Sequence, residues 1–280
     1  MDKLSCFVAN MKQLVIFTDV DGTLIDHDTY QFEEAKSTLD ILRGKSIPVV
    51  LCTSKTRFEI EGLRNQMGLN TPFIVENGAA VFVPRNTLQG RQAGFTEKGD
   101  YFVFEMGTPY GTLCRAWNET KAQEPFGMKG FSEMTVQEIA LHTGLPLNQA
   151  RLAAMREYSE PFLFFDTPDR LARLKSLLAE KGLQVTRGGR FFHLVGNNDK
   201  GKAIGVLKKM YEDTFHGRAL KTVGLGDSAN DIPMLRNVDV AIVIKKKAGG
   251  WEKVEGLTSV VYSEKPGPAG WSEEICRLLA

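Results

Sequence analysis

Two acidic pairs carry the clearest chemistry in the chain. Asp19 and Asp21 stand in LVIFTDVDGTLI (residues 14–25), directly after a run of apolar, β-prone residues; Asp227 and Asp231 stand in GLGDSANDIPML (residues 224–235), after another such run. Carboxylates this close repel, so they share a cation or hold a proton. Taken singly, an aspartate before glycine is a common turn residue, and one ahead of a helix is a common cap. Two pairs at strand ends of one parallel sheet instead make a four-carboxylate oxygen site, suited to a hard cation such as Mg²⁺. With no His or Cys beside them in sequence, zinc is the poorer fit.

Other residues nearby in this scheme are donors for an anion. Thr53 ends the strand-like part of VVLCTSKT (residues 49–56), where its hydroxyl and the following backbone N–H groups suit a phosphate oxygen. Ser54 and Lys55 read either as further donors or as cap and surface residues. Lys200, in NNDKGKAI (residues 197–204), enters a helix beside a glycine and brings positive charge toward both phosphate and carboxylates. Spacing alone does not separate it from a surface lysine such as Lys202.

The elements that must position these groups follow from hydrophobic periodicity. Residues 14–18, 47–52 and 72–79 read as strands, the last with a turn; 32–43 and 57–67 read as amphipathic helices, the second opened by a Thr56/Glu59 capping box. The inner strands are continuously apolar, as in a parallel sheet covered on both faces. This βαβαβ start predicts an α/β fold with a doubly wound, Rossmann-like parallel sheet, at whose carboxyl edge ligands bind. The same alternation returns over residues 201–244. Between the halves, mixed strands and helices predict an α+β cap domain at 88–190, inserted into a split core of 11–87 and 191–280.

Lys and Arg number 35 against 34 Asp and Glu, a net charge of +1, so no overall field draws the chain to nucleic acid or an anionic membrane. The four cysteines, Cys6, Cys52, Cys114 and Cys276, form no CxxC pair, which fits reduced thiols in a cytoplasmic protein. Residues 1–10 lack the pattern of a secretory signal, and no apolar run reaches transmembrane length. Met11 offers an alternative start. Oligomeric state has no signature here.

In order, DxDGT, a Ser/Thr after an apolar strand, a Lys at a helix start and GDxxND resemble the four motifs of the haloacid dehalogenase-like phosphohydrolases, in the subclass with a large α/β cap. The resemblance implies two-step phosphoryl transfer: Asp19 as nucleophile, Asp21 as general acid and then base, and Thr53 and Lys200 on the phosphate oxygens. It implies Mg²⁺ held by Asp19, the main-chain carbonyl of Asp21 and Asp227, with Asp231 supporting the ion or orienting Lys200.

LCTSKT, IVENGA, REYSEPF, RGGRFFHLVGNNDKGKA, GLGDSANDIPML and PGPAGW are similar to the mannosyl-3-phosphoglycerate phosphatases in particular. The implied substrate is a small phosphorylated sugar-glycerate, hydrolysed to the compatible solute mannosylglycerate and phosphate. Glucosyl-3-phosphoglycerate, or a phosphosugar mutase reaction through the same intermediate, is the alternative. A non-catalytic receiver-like domain fits less well, because receivers lack the second aspartate and need no cap. Arg187, Arg190 and His193 surround a double glycine, and arginine matches the glycerate carboxylate in a bidentate fork; a tight hairpin with exposed arginines is the other reading. Glu76 and Asn77 at a strand end, and Glu160 before Pro161, are candidates for sugar hydroxyls; Asn77-Gly78 also reads as a turn, and Glu160 as a surface carboxylate.

Overall fold

The computed structural model describes residues 13–88, 93–188, 190–216, 218–257 and 260–280; Cys6 and Met11 lie outside them. β1 (Gln13–Thr18), α1 (Glu33–Gly44), β2 (Val49–Cys52), α2 (Arg57–Met67) and β3 (Phe73–Val75) form the expected βαβαβ start. β4 (Ala80–Pro84), β5 (Thr96–Lys98) and β6 (Tyr101–Glu105) follow. Next come α3 (Tyr110–Gln123), β7 (Met128–Gly130), α4 (Val136–Thr143), α5 (Leu147–Ala154), β8 (Ser159–Phe164), α6 (Pro168–Glu180), β9 (Gln184–Arg187) and β10 (Phe192–Val195). The chain closes with α7 (Lys200–Thr214), β11 (Leu220–Gly226), α8 (Ile232–Leu235), β12 (Val240–Lys245), β13 (Val260–Pro266) and α9 (Gly267–Leu279).

The larger sheet has the order β13-β12-β11-β1-β2-β3-β4-β6-β5, parallel from β13 through β3 and antiparallel beyond. Both faces of the parallel part are covered, which is why its strands are continuously apolar. Val15 and Phe17 pack with Ile204 and Leu207 on one face, while Ile16 packs with Leu39, Leu42, Trp271 and Ile275 on the other. Each such fully buried side chain stabilises the fold by roughly 1.5–3 kcal/mol relative to exposure. Successive strands leave β1 in both directions, so β1 and its neighbour β11 flank the switch point where a ligand crevice opens. Thr18 is level with Leu225, and Asp19 and Asp227 therefore emerge side by side.

The cap is a four-stranded antiparallel sheet, β7-β8-β10-β9, backed by α3 and α6 around Trp117, Phe162, Leu174, Leu178 and Leu194. Sheet membership changes later along the chain than the expected 88–190 insert. β5 and β6 extend the core sheet through β4, whereas β10 belongs to the cap sheet. Cross-strand pairing, which local periodicity does not report, decides both ends. The capping boxes of Thr56 with Glu59 and Thr135 with Glu138 both form. Among the described residues no helix is long and apolar enough to cross a membrane.

The turn from β3 into β4 is held in an unusual conformation: Glu76, Asn77 and Gly78 all have positive φ, of 47°, 58° and 83°. Glycine is required at the third position, because a Cβ there would collide with the Asp199 carbonyl at the start of α7. Replacing Gly78 with Ala should therefore cost about 1–3 kcal/mol, read as a lower denaturant midpoint at unchanged slope. A variant as stable as the parent would contradict this packing.

Candidate active site

Lys200 is the hub of the site. It is fully buried, and its ammonium donates to Asp19 Oδ1 at 2.6 Å and to Asp231 Oδ1 at 2.5 Å. Asp199 caps the helix one residue earlier by accepting the Lys202 N–H, so the first turn of α7 aims Lys200 inward. The surface-lysine reading is thereby excluded. Asp231 is filled on its other oxygen, where Oδ2 accepts the backbone N–H groups of Asp227 and Ser228, each at 3.0 Å. Asp231 thus orients Lys200 and the loop after β11.

Asp19 and Asp227 have capacity left. Asp19, Asp227 and Asp231 each bring one carboxylate oxygen within 4.8 Å of the others. Asp227 Oδ1 is buried without a hydrogen-bond partner among the described residues, and its Oδ2 lies where a Cβ on Gly22 would come within 2.8 Å. Gly22 itself has φ +77°, so glycine is needed there both for conformation and for room. Burial, then the Asp231 charge, push Asp19 well above the usual carboxylate range despite Lys200. The same two causes raise Asp227 to about 7. Burial pulls Lys200 down, but Asp19 and Asp231 outweigh it and hold the ammonium above the ordinary lysine value. Three clustered carboxylates facing one ammonium leave an excess of negative charge, and the orphaned Asp227 oxygen is a hard ligand; the set fits a divalent cation. The Asp21 side chain stands outside this group.

Asp21 instead faces a cavity of about 130 Å³ between core and cap, 3.0 Å from the Lys55 ammonium. Lys55 also pairs with Glu59 at 3.5 Å and lies over the Tyr30 ring. Thr53, buried beyond the end of β2, accepts the Lys55 N–H on its hydroxyl at 3.1 Å. Ser54 and Lys55 line the cavity, with Tyr30, Arg156, Arg190 and His193. A second opening of about 730 Å³ meets Asp227, Gly22, Arg187 and Arg190 from the other side.

The remaining sequence candidates divide. Arg190 borders both openings, held by a bond of its guanidinium to the Thr143 carbonyl. Arg187 borders only the second, stacked on Phe192. His193 lines the smaller cavity, and burial, then Arg156 and Lys200, push its pKa down to about 3, leaving a neutral imidazole. Glu76, expected to meet sugar hydroxyls, is instead committed to protein: it accepts from Glu157 N, Tyr158 N and Ser159 Oγ of the cap at 2.8–3.1 Å, with Arg156 Nε at 3.3 Å. Burial without a ligand-facing oxygen makes it a latch between core and cap. Asn77 likewise accepts from Asn230 and Asn198, tying the β3–β4 turn to the loop bearing Asp227. Glu160 is neither exposed nor on the cavity; Tyr110 and Ser132 fill its carboxylate inside the cap.

Arg156 was missed by sequence reasoning. It is buried at the cavity wall, donating to the Ser54 carbonyl at 2.8 Å and to Ser159 Oγ at 2.6 Å. The available signal was a cation next to the strand-like SEPFLF. Tyr30 was missed as well; its hydroxyl reaches the Thr143 carbonyl of the cap at 2.9 Å.

A parallel sheet carrying a nucleophile-capable aspartate, a buried lysine and a paired acidic loop at one switch point, under an inserted cap, defines a hydrolase class. The sequence model of the haloacid dehalogenase-like hydrolases matches residues 16–98. The chain is 42% identical to the glucosyl-3-phosphoglycerate/mannosyl-3-phosphoglycerate phosphatase of Persephonella marina, over 95% of this chain and 97% of that one. It is 38% identical to the protein of the same description from Methanococcoides burtonii, over 95% and 97%. The fold matches a crystal structure from Thermoplasma acidophilum with a TM-score of 0.66 at 19% identity, over 96% of this chain and 99% of the other. The chain belongs to the haloacid dehalogenase-like hydrolase family and is a phosphoric monoester hydrolase.

The raised Asp227 has a consequence for stability in chelator. Unfolded, an aspartate titrates near 3.9, so between about pH 4 and 7 the folded chain keeps a proton that the unfolded chain has released. This contribution is full below about pH 4 and lost as pH rises through 7. The melting temperature of the chelated parent should therefore fall over that window more steeply than that of Asp227→Asn. Equal slopes would contradict the burial argument.

Proposed function

We propose that the protein is a Mg²⁺-dependent phosphatase that hydrolyses a sugar ester of 3-phosphoglycerate, converting mannosyl-3-phosphoglycerate to mannosylglycerate and phosphate, with the glucosyl ester as second substrate. The observation that carries the reading is the buried Lys200 joined to Asp19 and Asp231 beside a cavity that Asp21 faces. The substrate class is supported by the two relatives, whose names carry both the glucosyl and the mannosyl ester.

Asp19 and Asp227 would hold the cation, with Asp231 behind them and the Asp21 carbonyl as a further ligand; bound there, it would neutralise charge on the phosphate oxygens. The Asp19 carboxylate attacks phosphorus, forming an acyl-phosphate bond as the bond to the glycerate oxygen breaks. Asp21, as general acid, gives a proton to that leaving oxygen, and the nearby Lys55 ammonium offsets the carboxylate charge that results. Water then attacks phosphorus, losing its proton to Asp21, and the bond to Asp19 breaks to release inorganic phosphate. Thr53 and Lys200 steady the phosphate oxygens. Among the charged groups lining the smaller cavity, Lys55 is paired with Asp21 and Glu59 and Arg156 with Glu76, so the Arg190 guanidinium is the cation that suits the glycerate carboxylate, and neutral His193 suits a hydroxyl.

Phosphate release from a panel of phosphate esters tests this reading. Activity should vanish on chelation, return with Mg²⁺, and be lost in Asp19→Asn; Asp21→Asn should fall by about 10²-fold or more. Persistent activity in Asp19→Asn would rule out the nucleophile. Isomerised sugar phosphate with little free phosphate would make the enzyme a mutase instead. Arg190→Ala should narrow the preference for glycerate-bearing over plain sugar phosphates.

A further inference from the structure

The mechanism leaves PGPAGW (residues 266–271) without a role, yet this stretch ends on one of the largest fully buried side chains of the protein, Trp271. Its indole Nε1 donates to Thr18 Oγ1 at 3.0 Å, and the Thr18 hydroxyl donates in turn to the main-chain oxygen of Asp19 at 2.7 Å. The polarity of this chain is fixed by chemistry. An indole N–H can only donate, so the hydroxyl must accept from it and direct its single proton to Asp19.

Trp271 is itself held in place from several sides. Gly270 permits the start of α9 to press on the end of β13, because a Cβ there would collide with the Lys265 carbonyl. Ser263 Oγ accepts the Lys245 N–H and donates to the same carbonyl, tying that end to β12. Thr38 of α1 bonds to Ser272, the residue after the tryptophan. A helix so anchored is a rigid reference for the end of β1.

The Asp19 backbone is correspondingly fixed on both sides. Its N–H donates to the Leu225 carbonyl at 2.8 Å, and its C=O takes the Thr18 proton. The peptide plane after Asp19 therefore cannot turn freely, and that plane sets the direction in which the carboxylate leaves the chain. Lys200 fixes one carboxylate oxygen, but hydrogen bonding at a side-chain tip does not by itself fix where the Cα sits. We infer that Trp271, acting through Thr18, is a positioning residue for the Asp19 nucleophile: the C-terminal helix sets the line of attack on phosphorus. This rests on Asp19 being the nucleophile.

The test is steady-state phosphate release by Trp271→Phe, Thr18→Val, the double variant and Thr18→Ser, with Asp19→Asn as reference and thermal melts on each. Each of the first two should lower kcat about 10-fold with KM within about twofold, since misplacement of a reacting group is felt in the chemical step. The double variant should be no slower than the worse single one, because both remove one relay. Thr18→Ser, which keeps the hydroxyl, should recover most of the loss. Losses that multiply in the double variant, KM rising in step with falling kcat, or parental kcat in either single variant would overturn the inference. Should Trp271→Phe not fold, the comparison of Thr18→Val with Thr18→Ser decides alone: equal kcat overturns it. An active Asp19→Asn would sink the nucleophile reading itself, whereas an inactive one beside a fully active Thr18→Val sinks only the relay.

Discussion

A buried ammonium between two buried carboxylates is the constraint on which the rest of the site depends. Taking Lys200 out of water costs several kcal/mol, which the Coulomb attraction of close carboxylates offsets best where their remaining lone pairs are also filled. Asp231 meets that condition with backbone N–H groups from the loop after β11. Asp19 does not, and neither does Asp227, whose Oδ1 has no partner among the described residues. The electrostatics are complete on the side that orients and incomplete on the side that faces a ligand. A site balanced fully by protein groups would be more stable and would have nothing left to bind a cation or to attack a phosphorus atom.

The second constraint is the join between core and cap. Glu76 sits in a turn with positive φ and places its carboxylate among donors from residues 157–159, while Arg156 bridges Glu76 and the carbonyl of Ser54. Backbone strain at such a turn persists only where the surroundings over-determine it. Here the turn receives Asn198 and Asn230 from the other half of the chain, so the same few residues fix the cap, the Ser54 loop and the acidic loop against one another.

Much of this was legible in the sequence, for local reasons. Strand-end acids, capping boxes and apolar runs depend on neighbours a few residues away, and such signals singled out Asp19, Lys200, Asp227 and Asp231, which the structure brings together. The protein partners of Glu76 and Glu160 were not legible, because what satisfies a buried carboxylate comes from far along the chain. The Glu76 partner at Ser159 is 83 residues distant, and Ser132 is 28 from Glu160. The cap boundaries slipped for the same reason: β6 looks like any strand until its pairing with β4 is seen. Arg156 stands in REYSEPF, but a single arginine next to Glu157 reads as surface charge until its burial is known.

The two openings beside the carboxylates differ in a way that follows from these constraints. The smaller one is walled by the latch itself, through Arg156, together with Ser54, Lys55 and His193, so any change in cap position alters its polar lining. The larger is bordered by the β11 loop and the start of α9, elements that belong to the core, and among the described residues the cap hairpin contributes Arg187, Gly188 and Arg190. The smaller opening is therefore shaped where core and cap meet, whereas Asp19 is held by core elements: Lys200 of α7, the Leu225 carbonyl of β11 and the Thr18 hydroxyl of β1. A shift of the cap would thus change the lining of the smaller opening while leaving these contacts to Asp19 in place, because none of them is made by a cap residue.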